Sequence, residues 1–308
     1  MTKRLSRQEY LVIYMIILSF ACLIGGFFLG ASVVQSKMNV QINQLQQANN
    51  QMQQNDQLIK EKKLYREQDF TSYYYGFYQP IESFKEDYFL YVANLQGKTI
   101  EGQKKHHQDF LKIIQAKLKQ LEPAMVSATS PLLVDAKAEY IASLQTLKTS
   151  IQNVIDDPQG NTYTAQDIAA QRHLQAFTTK WLEAQKKMYH AIALWEQIYV
   201  LKHSISDVDI SSVSEDNWDK MPFHYRNYLS ARYMQNMHVL PQFVPHDVTA
   251  KIDLIRKKKE FESRGWQNIA IGVNVLIASN SVQAGDFSNL NKSLYPVLKL
   301  PEMPLFTK

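Results

Sequence analysis

The densest run of side chains able to bind a ligand lies at residues 223–233, FHYRNYLSARY. Hydrogen-bond donors and aromatic rings are mixed there, as they are in sites for anionic or glycan ligands. The same pattern also fits an amphipathic helix whose polar side chains face water. We predict a ligand or partner surface on this helix, with these contact residues: His224, Arg226, Asn227, Tyr228 and Arg232.

A second run of interest is the aromatic segment at residues 73–78, YYYGFY. Aromatic rings can form a platform for a sugar or a quaternary amine. Aromatic residues at helical spacing more often belong to a hydrophobic core. The core is the interpretation that we favour for this segment.

Patterns for metal binding and catalysis are weak in this sequence. His106, His107 and Asp109 are close in sequence, but a surface cluster explains them better than a metal site. No glutamate has a histidine three residues later, which is the pairing that di-iron bundles use. The His-Glu-x-x-His, Gly-x-Ser-x-Gly, P-loop and dinucleotide motifs are absent as well. We therefore predict no catalytic residue, no metal and no cofactor, in a protein that is not an enzyme.

The longest apolar stretch of the chain is residues 10–34, which contain no charged side chain. A helix of about 20 apolar residues crosses the hydrocarbon core of a bilayer. Three cations precede the stretch, whereas Lys37 is the only cation in the twenty residues after it. This asymmetry places residues 1–9 in the cytoplasm and the rest of the chain outside. Because a cleaved signal peptide has a shorter apolar core, we predict an uncleaved single-pass anchor in the cell membrane.

Residues 35–63 are rich in glutamine and asparagine and lack glycine and proline, so we predict a helical stalk. Apolar residues recur there every seven positions, as at one core position of a coiled coil. The second core position is mostly polar, so the coiled coil is expected to be weak, and low-complexity disorder is the alternative. In the anchor, glycines four residues apart allow close helix pairing. These residues predict the seam of a parallel dimer: Gly26, Gly30, Met38, Leu45, Met52 and Ile59.

The composition of the exterior favours helices over sheets. Three of the ten glycines lie in the apolar stretch, which leaves seven, and sheets with tight hairpins need more residues with positive φ. The single cysteine, Cys22, lies in the stretch, so the exterior has no disulfide framework and no cysteine-based metal site. The net charge of +5 is too small and too dispersed to indicate nucleic-acid binding. We expect an all-α fold that is stabilised by burial alone.

Helical periodicity divides the exterior into successive segments. The strongest pattern ends near Lys202, and both core positions of its heptad are apolar: Leu174, Phe177, Trp181, Ala184, Met188, Ala191, Trp195 and Ile198. Such a helix must pack along its length, so we predict that it is the spine of an antiparallel helical bundle at residues 64–295. Further helices are expected at 64–95 with an interruption at Pro80, at 99–122, from Pro131, from Pro222 to His238, and at 248–284 with Gly265 as a point of division. We interpret the pair His246-Asp247, after Pro245, as the cap of the last of these helices.

The C-terminal segment, residues 296–308, holds three prolines among apolar residues. It cannot form a regular helix, so we predict an extended tail that lies in a groove of the bundle. Docking of the tail onto another protein is the alternative.

Three classes of function fit this layout. The leading hypothesis is a non-enzymatic interaction or scaffold protein of a bacterial cell envelope, with the lipid bilayer, a second copy of itself and an unidentified envelope protein as partners. A ligand-binding sensor is the alternative, and it needs a partner subunit for output because only nine residues lie in the cytoplasm. An enzyme that modifies an envelope polymer is the lesser alternative, because the sequence contains no recognisable pair of catalytic carboxylates.

Overall fold

The computed structural model describes residues 63–95, 98–156, 172–298, 300–301 and 303–306, together with Met15 alone. The chain divides into two compact units, residues 1–58 and 59–308. The described part of the second unit is helical and contains no β-strand, which confirms the predicted all-α class. Its α-helices are α1 (Glu67–Tyr73), α2 (Gln79–Ala93), α3 (Ile100–Leu121), α4 (Pro131–Asp156), α5 (Arg172–Trp195), α6 (Glu215–Lys220), α7 (Phe223–Met237), α8 (Pro245–Lys257), α9 (Ile269–Ala278) and α10 (Asp286–Leu294).

The break between α1 and α2 is a π-helical turn at Tyr74–Tyr78. The Gln79 amide donates to the Tyr74 carbonyl, five residues back. Pro80, near the start of α2, has no N–H to donate, so the wider turn accommodates it without ending the helix. The predicted interruption at Pro80 is confirmed in this form.

Helix α5 is the spine of the fold, as its heptad pattern predicted. All eight of the predicted core residues are buried, and α5 continues as a π-helical turn at Glu196–Leu201. It packs along α4 and also along α7. The helix contributes Trp181 and Met188 to one cluster of buried apolar residues and Leu182 and Ala193 to another. The first cluster joins α5 to α1–α4, and the second joins it to α6–α9.

The long helix predicted at 248–284 is two helices in the structure. Helix α8 ends at Lys257, α9 begins at Ile269, and the chain between them turns through Gly265 with a φ of +70°. A Cβ on Gly272 of α9 would lie 2.8 Å from the Trp266 ring. This connection folds back so closely that only a glycine leaves room for the indole.

The tail docks onto its own bundle within the described residues. Met303 and Phe306 are both 1% exposed and belong to the first apolar cluster. Pro304–Phe306 form one 3-10 turn, so the predicted extended tail is in part curled.

Among the residues described, the structure shows no helix that is long and apolar enough to cross a membrane. The predicted anchor, apart from Met15, and the predicted stalk through residue 62 lie outside those residues, as do the cytoplasmic tail and all six residues of the predicted dimer seam. These predictions stay predictions.

Candidate binding cleft

A cleft of about 450 Å³ opens where four segments meet. The first turns of α2, the start of α8, the turn before α10 and the tail each contribute side chains. The polar side chains that line it include Glu82, Glu86, Tyr78, His246 and Asp247. We call this space the acidic compartment, because its described lining contains three carboxylates and neither lysine nor arginine.

Asp247 fixes the geometry of two of these segments. Its Oδ2 accepts from the Val244 amide at 3.1 Å and so caps α8, as the sequence predicted. Its Oδ1 accepts from the Phe287 amide at 3.0 Å in the first turn of α10. Gly285, the N-cap of α10, has a φ of +88°, which favours glycine. Burial raises the pKa of Asp247, although backbone amides at both helix starts oppose that shift. Both carboxylate oxygens of Asp247 therefore accept hydrogen bonds that hold the fold together.

His246 lies beside Asp247 and is held from the opposite side by Tyr189 of α5. The Tyr189 hydroxyl lies 2.6 Å from His246 Nδ1. Burial, together with the positive charge of Lys85, lowers the pKa of His246 to about 3. Burial also raises the pKa of Tyr189 well above 10. The imidazole is therefore neutral and the phenol keeps its proton, so the two side chains form an uncharged hydrogen bond in the core.

Glu82 of α2 is held by two neighbouring side chains. Its Oε2 lies 3.9 Å from the ammonium of Lys85, a buried side chain that also donates to the Phe243 carbonyl at 3.2 Å. The nearby Tyr78 hydroxyl is buried and forms a hydrogen bond with the Glu82 side chain. Burial raises the pKa of Tyr78 well above 10, and the charge of the Glu82 carboxylate and this hydrogen bond add to the shift.

A second space of about 440 Å³ adjoins the first and shares Gln242 and Ala284 with it. None of its other described lining residues is charged, and seven of these nine have apolar side chains: Phe89, Val239, Leu240, Pro241, Phe243, Ile277, Asn280, Val282 and Gln283. We call this space the apolar compartment. The two compartments form one cleft whose halves differ in charge, because the described carboxylates line the first half.

The tail forms one wall of the acidic compartment through Pro304 and Leu305. Phe306 anchors that wall, because its ring lies 5.0 Å from the His224 ring and 5.1 Å from the His246 ring. The Phe223 and Phe287 rings complete this aromatic socket, at 6.2 and 5.9 Å.

The five residues predicted as a partner surface on α7 do not form one exposed surface. His224 and Asn227 are fully buried, so neither belongs to a surface. Helix α7 packs against α5, α8 and α9, which leaves little of its circumference open to solvent. The His224 amide donates to Glu196 Oε2 at 3.0 Å. The prediction overlooked this burial because donor-rich residues can also serve contacts between helices.

Two of the other three residues of that surface are paired with carboxylates elsewhere in the fold, in α8 and in the loop before α6. Arg226 Nη1 lies 2.7 Å from Asp253 Oδ1, and the Trp218 indole donates to the same oxygen at 2.7 Å. Arg232 bonds Asp207 at 2.6 Å and lies over the Tyr228 ring. Tyr228 and Arg232 keep some exposure, and their role in binding stays a prediction.

The aromatic run at 73–78 serves two purposes. Four of its five aromatic rings are buried, which confirms the core interpretation, whereas Tyr75 is 58% exposed. Tyr74 and Tyr78 also line the acidic compartment, so part of this core forms the wall of the cleft.

His106 and His107 both contact Tyr91 in the structure. His107 Nδ1 lies 2.7 Å from the Tyr91 hydroxyl, and His106 Nε2 lies 3.0 Å from the Tyr91 carbonyl. No group of three or more histidine, cysteine or acidic side chains suited to a metal ion occurs in the described part of the chain.

Sequence reasoning missed Glu82 and His246 as neighbours. They are separated by more than 160 residues, and no local pattern marks either of them. The His246-Asp247 pair did carry a signal, since it was predicted as a helix cap. Comparison of the chain with protein-family models, curated proteins and solved structures finds no match in any of the three.

Proposed function

We propose that this protein is a membrane-anchored, extracytoplasmic interaction protein whose helical domain holds a segment of a partner protein in the two-compartment cleft. The observation that carries the proposal is the junction of an apolar and an acidic compartment at Gln242 and Ala284. The proposed occupant is a segment with a basic side chain next to apolar ones. The proposed protein has no enzymatic activity of its own.

Charge and shape both support this occupant. The chain carries a net charge of +5, yet Glu82, Glu86 and Asp247 line the acidic compartment. A complementary cation gains from entering such a concave, partly desolvated space. A neighbouring apolar residue of the same segment would then bury its side chain against Phe89 and Val282.

The apolar stretch at residues 10–34 supports the membrane anchor, and its flanking charges support the outside location of the domain. The seam from Gly26 to Ile59 supports a parallel dimer, which would present two clefts on one anchored unit. In this proposal the anchor and stalk fix the domain near the membrane, and the cleft selects the envelope partner.

A small-molecule sensor is the second candidate, and the acidic compartment favours it. A volume of about 450 Å³ lies within the range of pockets for small ligands. The sensor would still require a partner subunit, which keeps it second to the interaction protein.

A photo-crosslinking amino acid at Gln242, on the rim that both compartments share, tests the proposal in the native membrane. We expect crosslinks to one heterologous envelope protein, through a peptide that mass spectrometry shows to contain a basic residue beside apolar ones. The same amino acid at Met125, which is 93% exposed and outside the cleft, is the matched control.

Equal capture of the same protein at Met125 would contradict the proposal, as would crosslinks from Gln242 to this chain alone. Single cysteines at Met38, Leu45 and Met52 test the dimer in the same cells. Disulfide-linked dimers from all three positions are expected, because they lie on one face of the predicted stalk.

A further inference from the structure

In the described residues, the tail is held on the bundle by buried side chains and not by backbone hydrogen bonds. The backbone amides of Leu298, Met303 and Phe306 donate to the carbonyls of Tyr295, Pro301 and Met303, respectively. Each of these bonds closes a turn within three residues, and none of them reaches α1–α9. Detachment of the tail therefore breaks apolar contacts and leaves the hydrogen bonds of the helices intact.

The two ends of the tail differ in exposure. Val297, close to the end of α10, is 93% exposed, whereas Met303 and Phe306 are each 1% exposed. Between these two buried residues, Pro304 and Leu305 line the acidic compartment. The tail thus has an exposed link at one end and apolar anchors at the other. Such a segment can detach locally while the rest of the protein stays folded.

The aromatic socket around Phe306 is built from the starts of three helices. Its four rings come from the first turns of α7, α8 and α10: Phe223, His224, His246 and Phe287. They lie 5.0–6.2 Å from the Phe306 ring, at interplanar angles of 58–80°. These distances and angles suit edge-to-face contacts between aromatic rings. The socket is therefore shaped for an aromatic side chain, whichever chain supplies it.

Hydrogen bonds between helices hold the socket in place. Asp247 accepts from the Val244 and Phe287 amides and so joins the starts of α8 and α10. Glu196 accepts from the His224 amide and joins the start of α7 to the turn after α5. Because these bonds do not depend on the tail, the socket keeps its shape when the tail leaves and stays open to another aromatic ring.

The sequence of the tail has the composition proposed for the partner segment. Lys299 lies between Leu298 and Leu300, and the apolar residues continue to Phe306. A segment of this kind can act as an occupant in cis that competes with a similar segment of another protein.

We propose that the tail is a strap that leaves the aromatic socket when the partner segment enters the acidic compartment, and that an aromatic side chain of the partner then replaces Phe306. The inference rests on the proposed function, and it names one apolar side chain of the partner and the event that admits it. Because Pro304 and Leu305 form one wall of the compartment, release of the tail opens that wall. Competition for the socket lowers the apparent affinity for the partner until the tail is released.

Thiol labelling of the full-length protein in detergent tests the release of the tail. Met303→Cys and Met188→Cys are compared in a Cys22→Ser background, because both methionines are buried. Met188 lies on the spine helix α5, so its thiol reacts only after the core opens. We expect the thiol of Met303→Cys to react with a maleimide at least about tenfold faster, because the tail detaches locally. Equal rates would overturn the inference.

A labelled peptide with the sequence of residues 296–308 tests whether the socket accepts an aromatic side chain in trans. Fluorescence anisotropy measures its binding to the full-length protein. Phe306→Ala is expected to bind the peptide at least about tenfold more tightly than the wild type, because its own tail no longer fills the socket. A peptide that itself carries the Phe306→Ala change is expected to bind this variant at least about tenfold more weakly.

Two further variants control for general effects on the fold. Phe306→Leu keeps an apolar side chain in the socket and is expected to bind the peptide about threefold more tightly than the wild type. Val297→Ala, which changes an exposed residue of the tail, is expected to bind it as the wild type does. Equal binding of the peptide by the wild type, Phe306→Ala and Phe306→Leu would overturn the inference.

Crosslinking at Gln242 in the Phe306→Ala background distinguishes failure of this inference from failure of the proposed function. Capture of the partner is expected to rise at least about threefold, through a peptide that contains an aromatic residue. Unchanged capture, together with equal rates of thiol labelling, would leave the docking function standing and remove the strap. Fast labelling of Met303→Cys and binding of the peptide, without any partner at Gln242, would establish release of the tail and reject the docking function.

Discussion

Asp253 and Glu82 are two carboxylates against the same helical core that differ in how their hydrogen bonds are satisfied. Asp253 accepts from Arg226, Trp218 and Tyr295, and its side chain is 7% exposed. Glu82 is 27% exposed, lies 3.9 Å from Lys85 and forms a hydrogen bond with the Tyr78 hydroxyl. A buried, saturated network holds helices in place, whereas a partly exposed carboxylate at a cavity has capacity left to bond a ligand. The comparison separates structural polar groups from candidate functional ones.

The largest effect is expected from breaking the saturated network with Asp253→Ala. The change leaves the largely buried Arg226 guanidinium without its carboxylate and removes the bonds that join Trp218 of α6 and Tyr295 at the end of α10 to α8. We expect the free energy of unfolding to fall by about 3–5 kcal/mol, as for other buried ion pairs that lose one partner. Urea titration followed by tryptophan fluorescence measures it.

The control for Asp253→Ala is Asp135→Ala, which removes an exposed carboxylate of α4. Its effect should stay within about 0.5 kcal/mol. If the two variants lose equal stability, the Asp253 network has no special structural role.

The segment after α10 connects the two regions, because Tyr295 at its start bonds Asp253 and Phe306 in the tail contacts His246 beside the cleft. Phe306→Ala should lower the free energy of unfolding by about 3 kcal/mol, since it empties the aromatic socket. Val297→Ala, in the same tail but 93% exposed, should leave it unchanged. Denaturant titration of both variants checks this pair, and a stable Phe306→Ala protein would show that the tail is not held by its last ring.

The two regions also differ in how far the sequence could predict them. The α5 heptad was predicted correctly at all eight positions, because burial follows a periodic pattern along one helix. Proline and glycine predicted that the helices near Pro80 and before Gly265 would be interrupted. They did not predict the π turn at Tyr74–Tyr78 or the end of α8 at Lys257.

Local sequence patterns could not predict which residues line the cleft. Glu82 and His246 line one cleft, where Tyr189 of α5 bonds His246 and Asp247 joins the starts of α8 and α10. The donor-rich run on α7 was visible, but its partners Glu196, Asp207 and Asp253 were not. A sequence shows which side chains can bond, whereas the packing of α7 decides whether they bond a ligand or a neighbouring helix.

Glu196 is intermediate between Asp253 and Glu82. Its buried carboxylate accepts from the backbone amides of His224 and Tyr225 and lies near Arg226. Burial raises its pKa to about 7, against the effect of the His224 and Tyr225 amides. The folded state therefore binds the proton more tightly than the unfolded state, and Glu196 loses stabilising effect as pH rises from about 4.5 to 7. Glu196→Gln should gain stability relative to the wild type by on the order of 2 kcal/mol between pH 4.5 and pH 8.

The measurement for Glu196 is the urea midpoint of both proteins across this pH range. His246 acts in the opposite direction, because its pKa of about 3 makes the folded state lose stability as pH falls from about 6.5. It is present in both proteins, so the difference between them isolates Glu196. A difference that stays constant with pH would show that Glu196 ionises normally in the folded protein.

The smallest expected effect compares two buried tyrosines that differ in their hydrogen-bond partners. Tyr189→Phe removes the hydroxyl bonded to the buried His246 Nδ1 and should cost about 1 kcal/mol. Tyr78→Phe removes a hydroxyl bonded to Glu82, which is 27% exposed and can bond water instead, so the cost should be below about 1 kcal/mol. Thermal unfolding of the two variants measures the difference. A larger loss from Tyr78→Phe would mean that the bond between Tyr78 and Glu82 is a structural one, as the bonds of Asp253 are.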